Sequence, residues 1–194
     1  MPRNKPQHPN PPGAGSARAL RRPELDRALR RVRLFLCDVD GVLTDGSVFI
    51  GGEAELKRFH IRDGLGLVML RDEGFKIGWI SSRPSSATVR RAEELKIDFL
   101  RQEKGSKVAA IEALLSQTGF QWDQVCYVGD DIVDLGALQR AGVAVVVADG
   151  VEEAKSAAHY VTAARGGHGA IREIIEMILR AQDKWAGIIA AHAA

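Results

Sequence analysis

Short apolar runs alternate with longer segments of helical periodicity along most of the chain. The short runs predict buried strands, and apolar residues at three- and four-residue spacing between them predict helices. The predicted strands are Leu34–Cys37, Lys76–Ile80, Ile97–Leu100, Gln124–Val128, Val143–Val147 and His159–Val161. The predicted helices are Asp63–Glu73, Pro84–Leu95, Gly105–Gln117, a segment ending at Ala141, Val151–Ala157 and Ala170–Gln182. This alternation predicts an α/β fold with a central parallel sheet covered by helices on both faces.

A different pattern follows the first strand. Between Ser47 and Phe59, apolar and polar residues alternate on both sides of a Gly51–Gly52 pair, which predicts a β-hairpin inserted after that strand. A two-stranded unit of this size is not stable alone, and its edges need cover. We therefore expect hairpins from several copies of the chain to pair, which makes the protein a homotetramer.

Charge separates the start of the chain from the rest. Residues 1–33 contain nine of the 27 basic residues and two of the 25 acidic ones, so a basic leader precedes a mildly acidic domain. We divide the chain into a leader, one domain and a C-terminal tail, over residues 1–30, 31–185 and 186–194. Residues 1–17 are predicted to be disordered, and Arg18–Arg31 to form a short helix starting near Pro23. No aromatic residue lies among its charges, so we expect a solvated leader that binds neither nucleic acid nor a membrane.

Two features bear on the cellular compartment. Cys37 and Cys126 both lie in apolar strand-like runs, which is typical of buried free thiols in a reducing environment. The sequence has neither an apolar run of transmembrane length nor the hydrophobic core of a signal peptide. These features predict a cytoplasmic protein.

The first predicted strand runs into two acidic residues, Asp38 and Asp40, although acidic residues are poor strand formers. Alternate residues share one face of a strand, so both carboxylates can reach one small ligand. They lie at the carboxyl end of the strand, where open α/β sheets bind ligands. An acidic turn without chemical function would also account for these two residues taken alone.

Further polar residues follow the other predicted strands and should meet at the same edge. They are Ser81, Lys107, Asp130, Asp131 and Asp134. Several carboxylates close together repel one another unless a cation lies among them, and oxygen ligands favour Mg²⁺. The Ser81 hydroxyl and the Lys107 ammonium suit the oxygens of a phosphoryl group. The combination predicts phosphoryl transfer, in which one aspartate attacks phosphorus and another moves protons.

These motifs resemble those of haloacid dehalogenase superfamily phosphohydrolases. A finer resemblance, over residues 30 to 185, is to the family of 3-deoxy-D-manno-octulosonate 8-phosphate (KDO 8-phosphate) phosphatases. It rests on the segments DVDGVLTDG, FHIRDGLG, GDDIVDL, VADG, GGHGAIRE and ILRAQDKW. The resemblance implies a three-layer Rossmann-like fold without a cap domain. It also implies a tetramer in which the glycine-rich C-terminal segment of a neighbouring subunit helps to close the site.

The resemblance assigns a role to each acidic residue. Asp38 would be the nucleophile and a Mg²⁺ ligand. Asp40 would be the general acid and base, and its backbone carbonyl would also bind the metal. Asp130 would be the third protein ligand. Asp131 and Asp134 would orient a metal-bound water and the phosphate-binding lysine.

Ser81 and Lys107 would bind the phosphoryl group. Lys104 competes with Lys107 for this role, and Lys107 is preferred because it lies in the first helical turn after Gly105 and Ser106. Ser82 stands where the family usually has glycine, which leaves the backbone shape of this loop open.

Four residues are candidates for binding the acid group of the substrate: Arg62, Arg83, Gly167 and His168. Arginine pairs in a bidentate manner with planar carboxylates, although both arginines could equally be surface charges. Gly166 and Gly167 could form a helix-entry turn or offer free backbone N–H groups to an anion. His168 stands where the family often has arginine or lysine, so a contact with an acidic substrate would depend on pH.

The resemblance implies a Mg²⁺-dependent phosphatase that acts on KDO 8-phosphate, a step toward lipopolysaccharide precursors. Two alternatives stay open. One is the same chemistry on the 9-phosphate of a nine-carbon sialic-type sugar acid, KDN or N-acylneuraminate. The other is a non-catalytic phosphate-binding scaffold, which Asp40 argues against because binding alone needs no proton shuttle. The sequence contains neither a GxxxxGK nor a GxGxxG segment, which disfavours nucleoside triphosphate and dinucleotide sites.

Overall fold

One parallel sheet forms the centre of the structure, a computed structural model that describes residues 18–49 and 55–193. Its strands are β1 Leu34–Cys37, β2 Lys76–Ser81, β3 Phe99–Gln102, β4 Val125–Gly129, β5 Val143–Val146 and β6 Tyr160–Val161. They are adjacent in the order β3-β2-β1-β4-β5-β6. All four residues of β1 are buried between the helical layers. A strand covered on both faces is apolar throughout, which explains the uninterrupted apolar run before Asp38.

Helices cover both faces of the sheet. The described residues contain α1 Arg22–Arg31, α2 Ile61–Asp72, α3 Ser86–Leu95, α4 Lys107–Thr118, α5 Leu135–Arg140, α6 Glu152–Ser156, α7 Ala170–Ala181 and α8 Trp185–Ala193. Helices α1, α2, α3, α7 and α8 pack on one face, and α4, α5 and α6 pack on the other. This arrangement confirms the three-layer α/β fold. The strand order reverses at β1, and no separate domain covers the carboxyl edge there in the described part of the chain.

Several predicted boundaries differ from the structure by one or two residues, and two of these differences have a clear physical reason. The helix predicted from Pro84 begins at Ser86, because the Ser85 hydroxyl caps it by accepting the N–H of Thr88 at 3.4 Å. The third strand begins later than predicted, at Phe99. The carboxylate of Asp98 accepts the N–H of Ile77 at 3.0 Å in place of a strand partner, so backbone pairing starts one residue further on.

The segment predicted as a hairpin is described only in part. Phe49 and Leu56 form an isolated antiparallel bridge, as expected for two facing strands. The Gly51–Gly52 turn lies outside the described residues, so the hairpin itself stays a prediction.

The start of the described chain is a helix, as predicted near Pro23, but the expectation of a solvated leader is wrong for this segment. Leu25, Ala28 and Leu29 of α1 are buried and join the core between the sheet and α7. Residues 1–17 lie outside the described residues. At the other end, α8 buries Trp185 against the same layer. None of the described helices has both the length and the apolar character needed to cross a membrane.

Candidate active site

The loop that follows β1, residues 38–46, is here named the active-site loop. It turns sharply, with the N–H of Thr44 donating to the carbonyl of Val39 at 3.1 Å. Gly41 has a positive φ of 89°, and a Cβ atom there would lie 2.1 Å from a carboxylate oxygen of Asp130. Glycine is therefore required at this position, both for the turn and for the close approach of the loop to Asp130.

Three carboxylates meet at the carboxyl edge of the sheet. Oxygens of Asp38, Asp130 and Asp134 all lie within 4.8 Å of one another. One oxygen of Asp134 accepts hydrogen bonds from Lys107 Nζ (2.7 Å) and from the Tyr127 hydroxyl (2.6 Å), and the other accepts the N–H of Asp130 (3.0 Å). Asp134 is thus fully buried with both oxygens occupied, whereas Asp38 and Asp130 keep some exposure and face the edge where a ligand would lie.

The electrostatics of this cluster call for a cation. Burial, followed by repulsion from neighbouring carboxylates, raises the pKa of Asp130 to about 8. Burial also raises the pKa of Asp38, to about 6, although Lys107 opposes the shift. The buried Oδ1 of Asp130 has no hydrogen-bond partner among the described residues. An unpartnered carboxylate oxygen beside a second carboxylate fits a divalent metal ion, and the oxygen-only donors favour Mg²⁺.

The structure distinguishes between the two candidate lysines. Lys107 is buried at the start of α4, and its Nζ lies 2.7 Å from Asp38 as well as from Asp134. Burial works to lower the pKa of Lys107, but the attraction of Asp38 and Asp134 outweighs burial and raises it. Lys104 is exposed on the preceding loop.

Asp131 and Asp134 were both predicted to orient the phosphate-binding lysine. Asp131 is exposed and accepts the N–H of Ile132 at 2.6 Å, so only Asp134 contacts Lys107.

Ser81 ends β2 at the same edge of the sheet. Its side chain is buried, and its hydroxyl donates to the carbonyl of Arg83 and accepts the N–H of Arg83, each at 3.1 Å. Positive φ angles among non-glycine residues in the described chain occur only at Lys96 and Asp183. Ser82 therefore adopts its backbone conformation without strain, and glycine is not needed there.

Comparisons with known proteins agree with this site. The sequence profile of haloacid dehalogenase-like hydrolases matches residues 78–174. The chain is 39% identical over 169 residues to the 3-deoxy-D-manno-octulosonate 8-phosphate phosphatase KdsC of Yersinia pestis, covering 85% of this chain and 90% of the relative. It is 39% identical over 161 residues to KdsC of Haemophilus influenzae, covering 82% and 89%. The chain belongs to the KDO 8-phosphate phosphatase family of haloacid dehalogenase-like hydrolases.

A solved member of the phosphatase family has the same fold. The crystal structure of the Moraxella catarrhalis KDO 8-phosphate phosphatase, in complex with magnesium, phosphate and KDO, superposes with a TM-score of 0.87 and 36% identity. The match covers 89% of this chain and 99% of that one. The fold and the enzyme class predicted for the chain are therefore confirmed.

Two residues at the mouth of the phosphatase site were not predicted from the sequence. Lys57 donates to both carboxylate oxygens of Asp40, at 2.6 and 2.9 Å, and its side chain is almost fully buried. Glu55 lies 3.8 Å from Lys57 and forms a two-point ion pair with Arg83, at 3.0 and 2.8 Å. Positions 55 and 57 share one face of the predicted hairpin strand, and this alternation was the feature of the sequence that could have indicated the two residues. Recognising it required knowing that this face lies over Asp40.

The glycine-rich segment of the phosphatase differs from the prediction of free N–H groups. Gly167 donates its N–H to the carbonyl of Val42 in the active-site loop, and Gly166 donates to the carboxylate of Asp149, each at 2.9 Å. Of the two alternatives for this turn, that of free N–H groups is wrong, because the loop uses the amide of Gly167 and Asp149 uses that of Gly166. The neighbouring His168 is exposed, and its ring lies 2.7 Å from the carbonyl of Gly166.

Arg62, the remaining candidate for substrate binding, lies exposed in the first turn of α2. It forms no ion pair within the part of the chain that the structure describes. Its guanidinium is therefore available to a ligand, in contrast to that of Arg83.

Proposed function

We propose that the protein hydrolyses KDO 8-phosphate to KDO and inorganic phosphate, with Mg²⁺ as cofactor and an aspartyl phosphate as intermediate. One observation carries the proposal. In the buried cluster, the Asp38 carboxylate lies 2.7 Å from Lys107 and close to Asp130, whose buried oxygen has no partner among the described residues. A nucleophile, a cation and a metal-binding oxygen are thus gathered at one point of the sheet edge.

Asp38 is held in position to act as the nucleophile. Its Oδ1 accepts the N–H of Val39 at 2.6 Å, and its Oδ2 contacts Lys107. In the first step, an Asp38 oxygen bonds to phosphorus while the bond from phosphorus to the sugar oxygen breaks, and Asp40 gives its proton to that oxygen. In the second step, Asp40 takes a proton from water. The water oxygen bonds to phosphorus, and the bond to Asp38 breaks to release phosphate.

The side chains around Asp38 suit a phosphoryl group. The carboxylates of Asp38 and Asp130 and the backbone carbonyl of Asp40 would hold Mg²⁺, which when bound offsets the negative charge of the phosphoryl oxygens. Lys107 supplies a fixed positive charge. The Ser81 hydroxyl donates to a phosphoryl oxygen after turning away from its backbone partner. Asp131, exposed beside Asp130, would orient a water bound to that ion.

The acid group of the sugar is bound at the mouth of the site. Arg83 already pairs with Glu55, so the substrate carboxylate competes with Glu55 for the same guanidinium. Arg62 is exposed and free to contribute a second charge. His168 Nε2 lies 3.1 Å from Arg58, which itself pairs with Asp45, so His168 reaches the substrate only after leaving Arg58.

Exposed and buried residues support the proposed assembly and location. Apolar side chains are exposed in the hairpin segment and on α2, at Val48, Phe49, Leu56, Ile61 and Leu65. Pairing of the hairpin segments in a homotetramer buries this surface, which soluble proteins rarely leave uncovered. Both cysteines are free and buried, as is typical of a cytoplasmic enzyme, and the reaction supplies a lipopolysaccharide precursor.

Phosphate release from a panel of substrates tests the proposal. The panel consists of KDO 8-phosphate, the 9-phosphates of KDN and N-acetylneuraminate, and glucose 6-phosphate, each with Mg²⁺ and with excess EDTA. We expect the highest kcat/KM with KDO 8-phosphate, no turnover in EDTA, and no turnover by Asp38→Asn, since an amide does not attack phosphorus. A higher kcat/KM with either nine-carbon substrate would replace the proposed substrate. Undiminished activity in EDTA would overturn the mechanism.

A further inference from the structure

A turn of four residues, Gly166–Gly169, lies directly behind the active-site loop. Gly167 donates to the carbonyl of Val42, and a Cβ atom on Gly166 would lie 1.7 Å from the carbonyl oxygen of Gly41. Gly41 in turn lies against the Asp130 carboxylate. No space separates the turn, the loop and the cluster of carboxylates, so a shift of the turn displaces Gly41.

The turn is fixed at both ends by carboxylates from other parts of the chain. At its start, Asp149 accepts the N–H of Gly166 at 2.9 Å. At its end, Gly169 is the residue before α7 and has no side chain with which to cap that helix. Asp63 of α2 does so instead, accepting the N–H of Gly169 at 3.1 Å and that of Arg172 at 2.7 Å. Asp63 is buried, and both of its oxygens are used.

We propose that Asp63 is a positioning residue for the phosphatase, acting through the Gly166–Gly169 turn on Gly41 and, through Gly41, on the peptide unit that joins Asp40 to Gly41. That peptide carries the carbonyl assigned above to the metal, and its movement also redirects the Asp40 side chain. Asp63 itself touches neither metal nor substrate. The inference rests on the proposed function, and it gives a chemical reason for the aspartate of the RDG sequence at residues 62–64.

The variant Asp63→Asn tests this role. The amide matches the carboxylate in shape, but its NH₂ group faces a backbone N–H, so one of the two capping bonds is lost. We expect kcat to fall about tenfold to a hundredfold, as for a small misplacement of reacting groups, with KM for KDO 8-phosphate little changed. Mg²⁺ affinity, measured by calorimetry without substrate, should weaken about tenfold, which corresponds to one decade of Kd.

Asp98→Asn is the matched control. Asp98 is also a carboxylate that accepts a backbone N–H, that of Ile77 at 3.0 Å, and it pairs with Lys76. It lies at the amino edge of the sheet, opposite the site. This variant should lower Tm while keeping wild-type kcat and Mg²⁺ affinity, which separates a positioning effect from a general loss of stability.

A second variant keeps the test decisive if Asp63→Asn does not fold. Asp149 is exposed and anchors the other end of the turn, so Asp149→Asn should fold and weaken Mg²⁺ binding in the same direction. Wild-type Mg²⁺ affinity in every folded variant of these two would overturn the inference. Failure of the wild type to hydrolyse KDO 8-phosphate would overturn the proposed function instead, because the calorimetric comparison uses no substrate.

Discussion

Lys107 binds two carboxylates at once, Asp38 and Asp134, and all three side chains are nearly inaccessible to water. Removing one partner of a buried ion pair leaves the other charge without compensation. We therefore expect Lys107→Met to lower the free energy of unfolding by about 3 kcal/mol. Turnover should fall about a hundredfold or more, because a fixed charge at the phosphoryl group is lost. Thermal melts and phosphate release measure the two effects.

Lys104→Met is the control for this variant. Lys104 is exposed only three residues earlier, so its removal should change neither stability nor turnover. A variant at Lys104 that lost activity while Lys107→Met retained it would reverse the assignment of the phosphate-binding lysine.

A variant at Arg83 can distinguish binding of the sugar carboxylate from hydrolysis of the phosphate. A charge-assisted bond to the sugar carboxylate is worth roughly 1.5–3 kcal/mol. Arg83→Ala should therefore raise KM for KDO 8-phosphate about tenfold to a hundredfold. Turnover of p-nitrophenyl phosphate, which has no carboxylate, should change much less. Arg62→Ala is measured alongside, and equal losses on both substrates in both variants would show that neither arginine binds the sugar acid.

At the residue scale, the sequence predicted which polar side chains meet at the sheet edge, while their catalytic roles stay predictions. Asp38 and Asp130 follow β1 and β4, Ser81 is the last residue of β2, and the topology brings these three strand ends together. Prediction from the sequence missed Lys57, because its ion pair with Asp40 depends on how the hairpin segment folds back over the site. It also missed that the amides of the glycine-rich turn are used in packing, since sequence alone does not show what lies behind a loop.

At the scale of the secondary-structure elements, His159, the residue before β6, stabilises the pairing of β6 with β5. Its Nδ1 accepts the N–H of Ala144 at 3.1 Å. Burial, followed by the charge of Arg18, lowers the pKa of His159 from its usual 6.5. Because folding favours the neutral ring, the stability from this group is complete above pH 6.5 and is lost as the pH falls below it. The Tm of His159→Gln, which accepts the same N–H without titrating, should therefore rise relative to that of the wild type as the pH is lowered from about 7 to 5.

The control for His159 is a histidine outside the sheet. His192 is exposed on α8, and His192→Gln should leave the pH dependence of Tm as in the wild type. Identical pH profiles for the His159 variant and the wild type would contradict the assigned role.

Element boundaries and types were largely predictable, because strand and helix periodicities differ. The burial of α1 was not predicted, since its many arginines suggested a solvated segment. Yet Leu25, Ala28, Leu29 and Val32 follow the helical spacing of a buried face, and all four are in the core. The charged residues lie on the opposite face, so net charge was the wrong guide to this helix.

For the whole molecule, metal binding and stability should be linked through pH. The pKa values of Asp38 and Asp130 are raised to about 6 and about 8, from a usual 3.8, so the metal-free folded state gains stability as the pH falls below 8. Mg²⁺ needs both groups ionised and relieves their repulsion. The increase in Tm on adding Mg²⁺ should therefore be larger at pH 8 than at pH 6. Equal increases at both pH values, against EDTA controls, would contradict this linkage.

The assembly can be tested through the exposed apolar surface of the hairpin segment. Phe49 is 53% exposed, and Phe49→Lys places a charge where subunits are expected to pair. Light scattering at micromolar concentration should show a tetramer for the wild type and smaller species for the variant. Ile189 on α8 is similarly exposed, at 48%, and Ile189→Lys should remain tetrameric. A monomeric wild type would rule out the tetramer.

The central position of β1 in the sheet also determines when the active site can form during synthesis on the ribosome. Asp38 is synthesised early, but both neighbours of its strand, β2 and β4, are synthesised later, and so are Lys107 and Asp130. A nascent chain that ends shortly after β1 exposes Asp38, the proposed nucleophile, without the counter-charge of Lys107 and without Asp130. The carboxylate cluster is complete only after β4 and Asp130 have been synthesised, so a chain interrupted before them should have no phosphatase activity.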